Sequence, residues 1–266
     1  MASPSQPFSL SLSLDSSLKP FLSTHHHHHH PCSLSRSSIL HCSPTPLTTH
    51  SRTFLSPLSL SKQQTLLDFS QPHHFPHGTL LIRPMLETEI DAVSRLLSES
   101  FIETLFLPPD YADLLAFLVR NYLLDRRSLL PHAALLVGIY SHDDHVADEL
   151  ACTAEISFDE RGANAASPTP VPPPECPYIC NMTVKNSLRR KGIGKQLLKT
   201  CEDLICKMTE KRDVYLHCRM VDKTPLNMYK KAGYQIVKTD SFLVWLTLQR
   251  RKYLMRKTLP ANPEEL

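Results

Sequence analysis

Apolar positions along this chain follow two rhythms, one of period two and one near 3.6 residues, and both become regular from about residue 78. Leu80, Leu81 and Ile82, ended by Pro84, predict a short strand over 79–84. Ile90, Val93, Leu96, Leu97 and Phe101 then fall on one stripe, which predicts a helix over 86–101. Pro108-Pro109-Asp110 interrupts the pattern, and Asp110 is placed to cap a second, strongly apolar helix over 111–130. Strands are expected over 133–140 and 150–158, with His142-Asp143-Asp144-His145 as the hairpin loop between them. Residues 161–177 are rich in Gly, Ala, Ser and Pro, a connection far longer than hairpin loops run, so a mobile excursion is expected there. A strand over 178–184 leads into a helix over 194–210, where Leu197, Leu198, Cys201, Leu204, Ile205 and Met208 are the apolar positions. A strand over 213–219, a helix over 224–232 and closing strands within 234–248 follow. The order β-α-α-β-β-β-α-β-α-β-β describes an α/β chain.

The turn after the 178–184 strand is the most informative stretch. Leu188-Arg189-Arg190-Lys191-Gly192-Ile193-Gly194-Lys195 passes from strand to helix through two glycines. The first turn of a helix leaves backbone N–H groups unpaired, and its dipole favours an anion. Gly192 and Gly194 let the backbone close on a phosphate without a Cβ in the way. Arg189, Arg190, Lys191 and Lys195 add positive charge at the same point. The dinucleotide pattern G-x-G-x-x-G and the P-loop G-x-x-x-x-G-K-[ST] both fail here, because no third glycine and no GK[ST] follows. What fits is R-x-x-G-x-G over 189–194. Taken alone, these six residues are equally a basic turn ahead of a surface helix.

Downstream, Pro225 suits a first helical turn and Gly233 a helix C-terminus. The run Asn227-Met228-Tyr229-Lys230-Lys231-Ala232-Gly233-Tyr234 follows the glycine loop at about 35 residues. The two motifs in this order resemble the GNAT superfamily of acetyl-CoA-dependent N-acetyltransferases, in particular the plastid protein acetyltransferases of plants. The resemblance is specific over 178–236 and topological over 78–158. It implies the GNAT fold, a mixed central sheet with a splayed strand pair flanked by helices. It implies acetyl-CoA in the notch, with pantetheine on the backbone of Met182, Thr183 and Val184. The pyrophosphate would then lie on the loop of Arg189, Arg190, Lys191, Gly192, Ile193, Gly194 and Lys195. A polar contact from the start of the next helix falls on Asp222, Lys223 and Thr224; Asp222 departs from the Asn common there. Tyr229 matches the tyrosine that protonates the leaving thiolate, and a phenol of pKa ~10 holds its proton at neutral pH. His217 stands twelve residues earlier, where one branch of the family keeps a glutamate base. It is read either as that base or as a packed strand histidine, with water relays as the alternative route for the proton.

Composition changes the picture at the N-terminus. All six glycines lie at or beyond Gly78, and residues 1–77 are rich in Ser, Leu, Pro and His with only Asp15 and Asp68 acidic. An acid-poor, Ser-rich start of this kind predicts a plastid transit peptide and disordered leader over 1–77, a single domain over 78–258 and a short tail over 259–266. The six-histidine run from His25 to His30 sits inside transit-like sequence on both sides, so it reads as native low complexity. Arg250-Arg251-Lys252 and Arg256-Lys257 read as a basic tail. A net charge of +3 does not point to nucleic acid or a membrane surface, and no apolar run approaches the ~20 residues of a span. The cysteine spacings do not match zinc motifs, and His142 with His145 reads as a solvated turn, so no metal is expected. The chain is therefore expected to be a plastid N-acetyltransferase of protein α-amino or lysine ε-amino groups. A small-amine acetyltransferase and a non-catalytic acetyl-CoA-binding module remain open beside it.

Overall fold

The computed structural model describes residues 57–143, 147–165, 167, 169–242, 244 and 250–261. In chain order the elements are α1 (Pro57–Leu67), β1 (Gln71–Phe75), β2 (Gly78–Pro84), α2 (Ile90–Leu105), α3 (Ala112–Ser128), β3 (Ala133–His142) and β4 (Glu149–Ser157). Then come β5 (Tyr178–Val184), α4 (Ile193–Met208), β6 (Asp213–Arg219), α5 (Lys223–Lys231), β7 (Gln235–Thr239) and β8 (Lys252–Thr258). The strands form one sheet in the order β1-β2-β3-β4-β5-β6-β8-β7. Every pairing is antiparallel except β5 with β6.

Alternation along the central strands explains the layers. In β3, Ala134 and Leu136 turn toward α4, while Leu135 and Val137 turn toward α2 and α3. Both faces are covered, so β3 reads as a continuous apolar run rather than an alternating one. The stripe expected on the motif helix is buried in α4, where Leu197, Leu198, Cys201, Leu204, Ile205 and Met208 all enter the main core.

Several sequence expectations change. The folded unit begins before residue 78, because α1 packs on α4 and β1 pairs along its whole length with β2. Leu66 and Phe69, 0% and 5% exposed, belong to the main core. Gln-Pro-His-His-Phe carries no apolar run and so does not look like a strand, but β1 is an edge strand, where proline and polar residues are tolerated. Its alternate residues follow α4: Gln71 Nε2 donates to Asp203 Oδ2 at 3.0 Å, His73 bonds Thr200 Oγ1 at 2.8 Å, and Phe75 lies against Gly192. Asp110 is not a cap; Pro109–Tyr111 forms a short 3-10 turn and α3 starts at Ala112 without a side-chain cap.

The basic tail is a strand. β8 inserts between β6 and β7, so the closing strands lie at Gln235–Thr239 and Lys252–Thr258 rather than within 234–248. Leu254 and Met255 carry its burial, and the charges find partners: Lys257 Nζ donates to Glu202 at 2.7 Å and Arg256 lies 3.6 Å from Asp213. Residues 243 and 245–249 of the expected strand lie outside the described residues, as do the leader over 1–56 with its histidine run, His145, and 262–266 of the tail. His142 is the last residue of β3 and bonds Glu149 across the hairpin at 2.9 Å.

A chain beginning at residue 78 lacks α1 and β1 and should be less stable than one beginning at residue 57. The loss should be at least ~3 kcal/mol, since two large apolar side chains leave the core. Urea unfolding of the two chains checks this, and equal midpoints with equal slopes would show that α1 and β1 contribute nothing.

Candidate active site

The site begins where two parallel strands part. β5 and β6 pair only at Tyr178 with Tyr215 and at Ile179 with Leu216. Beyond that, β5 runs on to Val184 and β6 to Arg219 with no further pairing between them, which leaves a notch lined by exposed strand backbone. The parting coincides with an irregularity on the other side of β5, where the β4 register shifts between Thr153 and Glu155. Asn181 sits there with φ 49, a left-handed residue inside a strand at the point of the bulge.

Glu155 holds that bulge. Its carboxylate is fully buried and accepts from Asn181 Nδ2 at 2.8 Å, Asn164 Nδ2 at 2.8 Å, Tyr122 Oη at 2.7 Å and Arg126 Nε. Burial, and then the adjacent carboxylate, push the Tyr122 phenol well above its ordinary range, so it stays a donor. Sequence reasoning missed Glu155, Tyr122, Arg126, Asn164 and Asn181. One signal was available: Arg126 falls on the same buried stripe of α3 as Leu115, Val119 and Tyr122, and a buried arginine calls for a buried acid.

The cleft over the notch is walled by Leu97, Ser100 and Phe101 of α2, by Asn164, Ala165 and Thr169 of the 161–177 connection, and by the parted strands. That connection is pinned rather than a free excursion. Arg126 Nη2 donates to the Gly162 carbonyl at 2.6 Å, Asn164 bonds Glu155, and His217 Nε2 lies 2.9 Å from the Pro170 carbonyl. Residues 166 and 168 lie outside the described residues.

The glycine loop folds as its sequence demands. Arg190 and Gly192 take left-handed φ values of 68 and 89, and α4 starts at Ile193. The first backbone bonds of the helix run from Lys195 and Gln196 N–H to the Gly192 carbonyl. The N–H groups of Ile193 and Gly194, which directly precede them in the first turn, are therefore available to an anion. A Cβ on Gly194 would meet Met228 Sδ at 3.4 Å and Val184 Cγ2 at 3.6 Å, so a side chain there would fill the groove between β5 and α5. Arg190, Lys191 and Lys195 are exposed and α4 has no acid in its first turn, a site suited to the pyrophosphate of acetyl-CoA. Arg189 is differently engaged: its guanidinium makes a two-pronged bond to Glu103, at 2.7 Å on each side, and Nε donates to the Val184 carbonyl at 3.0 Å.

The other expected positions divide. Met182 and Thr183 line the cleft, and Thr183 Oγ1 donates to Ser100 Oγ at 2.9 Å. Val184 faces a neighbouring pocket shared with Glu103 and Arg189. Asp222 lines the cleft but accepts from Arg219 Nε at 2.8 Å, while Lys223 and Thr224 are exposed on the first turn of α5.

Tyr229 and His217 both reach the cleft, from α5 and β6. Tyr229 is buried against Tyr234, ring centroids 6.0 Å apart, and burial raises its phenol well above the ordinary range, so the proton stays on. His217 lies between two oxygens, Tyr178 Oη at 2.8 Å from Nδ1 and the Pro170 carbonyl at 2.9 Å from Nε2. A carbonyl only accepts, so Nε2 carries the hydrogen and Nδ1 accepts from the phenol. Burial, and then the charge of Lys252, lower this imidazole to about 4, so it is neutral throughout the physiological range. Cys180 and Cys218 also line the cleft, but burial raises both thiols, Cys218 to about 12, and they remain protonated.

The chain is similar to known proteins. The Acetyltransferase (GNAT) family matches residues 92–234. The Arabidopsis thaliana protein named GCN5-related N-acetyltransferase 5, chloroplastic, is 51% identical over 213 residues, covering 77% of this chain and 67% of that protein. Arabidopsis thaliana GCN5-related N-acetyltransferase 10, chloroplastic, is 30% identical over 82 residues, 30% of this chain and 32% of that protein. Among solved structures, Mycobacterium smegmatis RimJ in complex with CoA-disulfide shares the fold with a TM-score of 0.51 at 16% identity, over 75% of this chain and 90% of that one. With the parted strands, the phosphate-ready loop and a family match across both, this chain belongs to the GNAT family and is an acetyl-CoA-dependent N-acetyltransferase.

Proposed function

We propose that this enzyme acetylates protein amines, α-amino groups, lysine ε-amino groups or both, inside the plastid. The observation that carries the substrate class is the charge of the cleft. Among its described lining residues the one carboxylate is Asp222, and Arg219 occupies it, while Lys252 adds a cation. A polyamine needs free carboxylates for its remaining ammonium groups, and this cleft offers none among those residues. A peptide amine brings one nitrogen to the reacting carbon and leaves the rest of its chain outside. The location rests on the acid-poor, Ser-rich N-terminus together with the chloroplastic name of the 51% identical relative.

Bound acetyl-CoA supplies the activated acyl group at the notch. The residues of this chain then handle two protons. An amine attacks only when neutral, and it must shed a proton as its bond to the acyl carbon forms. The Tyr178 phenol is placed to take that proton while passing its own to Nδ1 of His217, 2.8 Å away. The Pro170 carbonyl fixes the tautomer that leaves Nδ1 free to receive it. Tyr229 would donate the second proton, to the thiolate that carries away the electron pair of the broken carbon–sulfur bond.

Tyr229→Phe should lower kcat at least tenfold and leave acetyl-CoA affinity nearly unchanged, since general acid assistance is typically worth 10²–10⁴-fold and only the phenolic proton is lost. Steady-state rates and calorimetry test this, and full activity in the variant would reduce Tyr229 to a packing residue.

Because His217, lowered to about 4, is already neutral by pH 6, the rise of kcat/KM above that pH should report the acceptor. It should level off near pH ~8 with a peptide α-amine and near ~10.4 with lysine. His217→Gln should depress the whole profile without moving its midpoint. A break near 6.5 that disappears in the variant would contradict the buried, neutral imidazole.

For the location, a fluorescent reporter behind residues 1–56 should accumulate in plastids. Uniform cytosolic fluorescence would remove that half of the reading.

A further inference from the structure

We propose that Arg189 is a positioning residue rather than a phosphate ligand: with Glu103 it forms a clamp that holds the glycine loop against β5 and α2. The proposal deepens the acetyl-CoA reading of this loop and rests on it.

Arginine is planar and presents five N–H donors in a rigid fork. Three of those donors are already spent, two on the Glu103 carboxylate and one on the Val184 carbonyl. The partners come from three elements. Val184 ends β5, Glu103 lies in the last turns of α2, and Arg189 itself follows the short 3-10 turn at Asn186–Leu188 that opens the loop. A two-pronged arginine–carboxylate bond fixes orientation as well as distance. The hydrogen bond from Arg189 is also what holds the Glu103 carboxyl below its ordinary range.

Charge explains why such a clamp is needed. Glu103 stands near the C-terminal end of α2, where the helix dipole is itself negative. Left unpaired beside the loop, this carboxylate would repel a pyrophosphate. Paired, it becomes an anchor, and the exposed Arg190, Lys191 and Lys195 with the N–H groups of α4 remain for the anion. A second tie lies one turn earlier on α2, where Ser100 accepts from Thr183. The same stretch of α2 supplies Leu97, Ser100 and Phe101 to the wall of the cleft. The clamp therefore sets the cofactor loop and the α2 wall of the cleft in one register.

The two roles for Arg189 predict opposite signs at Glu103. For a clamp, Glu103→Ala and Arg189→Ala should each weaken acetyl-CoA binding by about fivefold, the upper range for a half-exposed ion pair. The double variant should be no worse than Arg189→Ala alone, because both remove one interaction. Acetyl-pantetheine, which lacks the pyrophosphate, should show no matching rise in KM with either variant. For a phosphate ligand, Glu103→Ala would instead tighten acetyl-CoA, by freeing the guanidinium and removing a negative charge, and that result overturns the proposal. Unchanged affinity in both single variants overturns it as well. So does an equal loss for acetyl-CoA and acetyl-pantetheine, which would mark a fold-wide effect. Gly194→Asp separates the two levels. If it weakens acetyl-CoA while the clamp variants do not, the clamp fails alone; if a folded Gly194→Asp binds normally, the acetyl-CoA reading of the loop fails with it.

Discussion

The buried carboxylate of Glu155 is the constraint from which the site follows. An ion removed from water is stable in a protein only when it is paired and its lone pairs are filled. Glu155 meets that demand with donors from three segments: Tyr122 and Arg126 of α3, Asn164 of the 161–177 connection and Asn181 of β5. Each donor ties its segment to the middle of β4. The tie to Asn181 holds a left-handed residue inside a strand, and the strand leaves its parallel neighbour at that level. The tie to Asn164, helped by Arg126 at Gly162, lays the connection over the opening. Removing one partner from such a group typically costs 3–5 kcal/mol, because the remaining charge stays buried. The notch and the connection laid over it thus both depend on neutralising one charge.

Desolvation does a second job at the far end of the cleft. The burial that raises the Tyr229 phenol also lowers the His217 imidazole. In both cases the neutral form is favoured, as burial always favours it. For a phenol that form carries the proton, and for an imidazole it lacks one. Burial therefore keeps the proton on the phenol and off the imidazole, and the charge of Lys252 adds to the effect on His217.

The glycine loop is braced on several sides. Phe75 of β1 lies against Gly192, Met228 of α5 and Val184 of β5 close on Gly194, and Arg189 ties the loop to Glu103. A loop that binds through backbone N–H groups has no side chain with which to correct its aim, so rigidity must come from its neighbours. This gives β1 a purpose beyond covering an edge of the sheet.

The sequence by itself determined the local features: the stripe of α4, the glycine turn ahead of it, and α5 with Tyr229 closed by Gly233. Each depends on residues within a few positions of one another, where 3.6-residue spacing, left-handed backbone and helix ends leave a direct imprint. Tertiary structure alone decided β1, β8 and the Glu155 cluster. Gln-Pro-His-His-Phe becomes a strand because β2 offers it an edge, and the basic run from Lys252 becomes one because Glu202 and Asp213 neutralise it from elsewhere in the chain. Glu155 meets Arg126 across 29 residues, Asn181 across 26 and Asn164 across 9. Its partners are an arginine, two amides and a phenol, ordinary residues that no spacing marks as a group. Pairing of buried charge is a property of distance in space, and only the folded chain supplies that distance.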